Sequence, residues 1–64
     1  MCQMKVFLIK NGGQEQIMEN VTQLELTETG IRISTLFEPP MLIPDARLKS
    51  INFLEGEVLL TTSK

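Results

Sequence analysis

The sequence predicts a small all-β barrel of five or six short antiparallel strands, and three observations carry that prediction. No segment holds apolar residues at helical spacing over three turns, and short runs rich in Val, Ile, Leu, Phe and Thr recur instead. The runs are separated by turn-forming pairs: Asn11-Gly12, Thr29-Gly30 and Glu55-Gly56. A barrel suits so short a chain because curling the sheet on itself removes most exposed edges.

The first strand, Met4 to Ile9, is apolar on both faces, with Met4, Val6 and Leu8 on one and Phe7 and Ile9 on the other. A surface strand alternates, so two apolar faces predict that one enters the core while a partner chain covers the other. Asn11-Gly12-Gly13 supplies the positive φ angles of a tight hairpin and turns the chain into a second strand, Gln14 to Met18. Val21 to Glu28 places Leu24 and Leu26 opposite Glu25 and Thr27, the pattern of a half-buried strand. After Thr29-Gly30, Ile31, Ile33 and Thr35 alternate with Arg32, Ser34 and Leu36 until Glu38-Pro39-Pro40 ends the strand, since proline cannot donate to a ladder.

Met41 to Ile43 is a short apolar stretch closed by Pro44. The next strand, Ala46 to Phe53, points Leu48 inward and then changes phase before Ile51 and Phe53, which predicts a bulge at Lys49-Ser50. Glu55-Gly56 turns the chain into a last strand in which Val58 and Leu60 alternate with Glu57 and Leu59, and a polar tail follows from Thr61 to Lys64. Phe7, Phe37 and Phe53 all lie in strongly apolar contexts and read as core. Residues 1–64 read as one small β-barrel domain without repeats or linkers.

A single domain of 64 residues is marginal as a monomer, because folding at this size buries only ~60% of the surface exposed by the unfolded chain. One cysteine allows no internal disulfide, and with no histidine a structural zinc site is a poor prospect, so a homodimer is expected. Lys5 and Lys10 bracket an apolar run too short for a signal peptide, and no run approaches the ~18 residues of a membrane span; a cytoplasmic location is expected. Six basic residues against eight acidic ones make nucleic acid and anionic membranes unfavourable partners. Without histidine or tyrosine no base and nucleophile stand out as a pair, so no enzymatic activity is expected. Asn11-Gly12-Gly13 leads into a strand and lacks the helix N-terminus of a phosphate loop. The methionines Met1, Met4, Met18 and Met41 read as packing residues rather than thioether ligands.

Cys2 stands apart from this pattern. One reading makes it a small apolar residue at a strand start; the other makes it a metal ligand. If Met1 is removed, the Cys2 amine and thiolate close a five-membered chelate ring. If Met1 stays, its amine, the Cys2 amide nitrogen and the thiolate form two fused rings. Either set suits a square-planar ion, Ni(II) or Cu(II), better than tetrahedral Zn(II). A two-fold dimer that brought both Cys2 residues together would complete such a half-site. The rival reading is a small β-barrel binding module for RNA or a protein partner, using Arg32, Arg47 and Lys49; a third is a regulatory subunit that presents only a surface.

Met1-Cys2, the strand Lys5-Val6-Phe7-Leu8-Ile9-Lys10 with its Asn11-Gly12-Gly13 turn, Gly30-Ile31-Arg32-Ile33-Ser34-Thr35-Leu36-Phe37, and Ala46-Arg47-Leu48-Lys49-Ser50-Ile51-Asn52-Phe53-Leu54-Glu55-Gly56 together resemble the CooT-type nickel-binding proteins. The resemblance covers nearly the whole chain. It implies an SH3-like barrel, a homodimer, Ni(II) bound through Cys2, and nickel delivery to carbon monoxide dehydrogenase or its maturation factors; on the chelate reading, backbone or amine nitrogen at Met1 to Gln3 completes the ligand set. Related sequences have also been labelled predicted RNA-binding proteins, which the acidic balance of this chain does not support.

Overall fold

A computed structural model describes residues 4–62. It contains six strands: β1 (Met4–Lys10), β2 (Gly13–Leu26), β3 (Gly30–Thr35), β4 (Met41–Pro44), β5 (Ala46–Asn52) and β6 (Glu57–Thr62). They form one sheet in the order β4-β3-β2-β1-β6-β5, curled into a half-barrel. Its two outermost strands are β4 and β5, so closure is incomplete. All pairings are antiparallel except β1 with β6, which run parallel from Lys5↔Glu57 to Ile9↔Thr61.

Asn11 and Gly12 make the first turn with φ of 46° and 80°, the two positive angles that a two-residue hairpin needs. The second and third predicted strands prove to be one. Gln14–Met18 and Val21–Leu26 belong to the 14-residue β2, which continues through Asn20 at φ 59°. Asparagine tolerates this left-handed conformation, so the chain bends without ending the strand. The bend lets one strand serve two neighbours: β1 pairs up to Val21, and β3 pairs from Val21 to Leu26. A second corner lies at Asp45 (φ 61°), where β4 passes directly into β5 and the Asp45 N–H donates to Thr29 O at 2.9 Å. The predicted bulge is present, between Leu48 and Ser50.

Directly paired residues share a face, so the register locates the core. Val6, Leu8, Met18, Val21, Ile31, Ile33, Ala46, Val58 and Leu60 are buried, with Met4, Ile17, Leu24 and Ile43 packed against them. Leu48 does lie inward, opposite Leu60, yet it is 38% exposed, because β5 is an outermost strand with β6 as its one ladder partner among the described residues. Leu26, expected on a buried face, is also exposed at the end of β2. Two of the three phenylalanines are not core: Phe37 and Phe53 are 86% and 80% exposed, and Phe7 is half-buried. Both exposed rings lie beyond the last residue of a strand, where no facing strand covers them.

Candidate functional site

The named candidate ligands Met1 and Cys2, together with Gln3, lie outside the described residues. The structure does show where they join the fold. Met4 is the first residue of β1 and pairs with Val21; Lys5 pairs with Glu57, and its N–H donates to Gly56 O at 2.8 Å. β1 is therefore gripped on both edges from its start, and Met4 packs on the core. Both edges being used, β1 offers a partner only its outer face, carrying the half-buried Phe7 and Ile9. The expected partner contact along this strand cannot be an added strand.

The neighbour of this entry point is the β5–β6 turn. Asn52 organises it: its carbonyl accepts from the Gly56 N–H at 2.8 Å and its Oδ1 from the Glu55 N–H at 3.1 Å, while Gly56 takes φ 70°. That locked backbone holds Phe53 and Leu54 80% and 98% exposed beside the start of β1. The family-like stretch Ala46 to Gly56 thus ends in a rigid apolar tip. Sequence reasoning placed Phe53 in the core and did not single out Leu54. The available signal was the neighbouring Glu55-Gly56 turn, since a residue at a turn has no strand opposite to bury it.

Among the described residues no group of three or more His, Cys, Asp or Glu side chains is arranged to hold a metal ion. Metal binding would rest on residues 1–3, whose thiolate and nitrogen donors suit a soft or borderline ion. Met18 is buried and Met4 half-buried, in keeping with packing roles, while Met41 is 41% exposed. Of the basic residues in the rival reading, Arg32 lies on β3 and pairs with Glu25 at 3.4 Å. Arg47 and Lys49 lie on β5, at the far end of the strand order. No helix among the described residues is long and apolar enough to cross a membrane.

The fold is similar to a crystal structure assigned to CooT from Carboxydothermus hydrogenoformans, with a TM-score of 0.85 and 24% identity over 98% of this chain and 100% of that one. No curated protein matches the sequence. The family model described as CO dehydrogenase accessory protein CooT matches residues 1–61, a span that includes Cys2, the entry strand and the exposed turn, and the chain therefore belongs to the CooT family of accessory proteins.

Proposed function

We propose that the chain is a cytoplasmic, nickel-binding homodimer with an SH3-like barrel that carries or stores Ni(II) for the maturation of carbon monoxide dehydrogenase. The observation that carries this reading is the family match beginning at residue 1, which takes in the only cysteine of the chain. Nickel is cargo here. The Cys2 thiolate is the principal ligand, and nitrogen from Met1 or the adjoining backbone fills the remaining positions. Binding displaces the thiol proton, so affinity falls as pH drops below the thiol's titration range.

One feature supports dimerisation at the end where β1 begins. The Phe53–Leu54 tip supplies apolar surface beside the entry of residues 1–3. A two-fold contact there brings two copies of Cys2 towards one another.

The test is a Ni(II) titration followed by thiolate-to-metal charge-transfer absorption, on the untagged chain and on Cys2→Ser. Saturation at one ion per dimer, abolished in the variant, is the expected result. Equal binding by both proteins would refute Cys2 as ligand.

A further inference from the structure

We propose that the groove between β2 and the β3–β4 connection docks an extended, basic and apolar segment of a partner protein. The groove is a cavity of about 380 Å³ lined by residues 16–20 of β2 and by Thr35, Phe37, Glu38 and Met41. Its lining contains Ile17, the buried Met18 and the exposed Met41 and Phe37, and it holds two carboxylates, Glu19 and Glu38, with no basic side chain. Glu19 accepts one long hydrogen bond, 3.4 Å from Gln16 Nε2, and neither carboxylate has an ion-pair partner among the described residues.

The walls of the groove are set by backbone devices. On one side, β3 pairs with β2 only over Val21–Leu26, so the edge of β2 that faces away from β1 over residues 13–20 has no strand partner among the described residues. Those N–H and C=O groups are a template for an added strand. On the other side, Thr35 Oγ1 accepts from the N–H groups of Phe37 and Glu38 at 3.3 and 3.1 Å, which folds the connection back and presents Phe37. An exposed aromatic ring beside two carboxylates suits a Lys or Arg side chain, whose aliphatic stem packs on the ring while its charge meets the acid.

Charge argues for a foreign segment over a second copy. Two copies joined antiparallel through this edge of β2, with the two-fold axis at Ile17, would set Glu15 of each copy against Glu19 of the other, and opposed like charges destabilise a strand pair. A segment alternating basic and apolar residues meets complementary charge instead. This inference does not rest on the metal, since none of its observations involves residues 1–3 and the experiment below contains no nickel.

The test uses two fluorescently labelled synthetic peptides, one alternating valine with lysine and the other valine with glutamate. The lysine peptide is expected to bind about ten-fold tighter, the effect of two exposed ion pairs. It should shift the amide resonances of residues 14–20 and 35–41, and the double variant Glu19→Lys, Glu38→Lys should reverse the preference. Both positions are exposed, so the variant keeps its fold, which circular dichroism verifies. Equal binding of the two peptides, an unreversed preference, or shifts elsewhere on the sheet would overturn the proposal. So would dissociation of a dimer by the same double variant in sedimentation equilibrium, because the groove would then belong to a second copy.

Discussion

Leu60 and Leu48 face each other across the β5–β6 ladder and point to the same side of the sheet, yet Leu60 is 0% exposed and Leu48 38%. The same contrast separates Ile33 at 0% from its partner Met41 at 41%, and Val58 at 4% from Ile51 at 38%. Each pair contrasts a strand enclosed by neighbours with an outermost one. Position in the strand order therefore decides how much each apolar side chain contributes to folding. The enclosed strands hold the fold together, and the outer strands and their turns leave apolar surface available for contacts with other molecules.

The largest expected effect tests that contrast directly. Leu60→Ala removes a side chain with no exposure and leaves a cavity, at a cost of about 2–5 kcal/mol, enough to unfold much of a marginal domain. Leu48→Ala, chemically identical, should cost only about 1 kcal/mol, since part of that side chain never left water. Urea denaturation of the two variants measures the difference. Comparable losses would mean that β5 is covered in solution.

Next in size is Gly30→Ala. A Cβ at Gly30 would collide with the carbonyl oxygen of Ile43 and sit 2.9 Å from Pro44 Cα, both backbone atoms that cannot step aside cheaply. The pairing of β3 with β4 would have to spread, at about 1–3 kcal/mol. If the denaturation midpoint does not move, β4 is held more loosely than its ladder implies. Thr27→Val is smaller. Thr27 Oγ1 donates to Gly30 O at 2.8 Å and accepts from the Gly30 N–H at 3.1 Å, and losing both part-buried bonds should cost about 1 kcal/mol. Faster amide exchange at Gly30 is the specific readout.

Much of this architecture was legible in the residues. Asn11-Gly12 announced its turn because few residue pairs accept two positive φ angles, and the phase change after Leu48 announced its bulge. Asn20 misled: a polar Glu19-Asn20 step resembles a break between strands, and only the structure shows the chain bending through it. The parallel β1–β6 pairing leaves no local trace, since its partners are separated by most of the chain. Phe37 and Phe53 were misplaced because apolar character does not say whether another strand lies opposite. The family was legible from the order of short motifs, and its model matches residues 1–61, whereas Met1 and Cys2 lie outside the described residues.

The smallest expected change in stability sharpens the comparison most. Phe53→Ser with Leu54→Ser alters two side chains that are 80% and 98% exposed in a turn held by Asn52, whose hydrogen bonds to Glu55 and Gly56 involve neither. Intrinsic stability should change by less than about 0.5 kcal/mol if the monomer alone is considered. The tip has no other evident packing role, so its apolar surface matters only if something binds it. Sedimentation equilibrium should show the double variant shifted from dimer to monomer, with nickel binding weakened although Cys2 is intact. A variant that remains dimeric would move the interface elsewhere, to the outer face of β1 at Phe7 and Ile9 or to the exposed β5 edge. A variant that becomes monomeric yet binds nickel undiminished would separate the two functions, leaving residues 1–3 of a single chain sufficient for the metal.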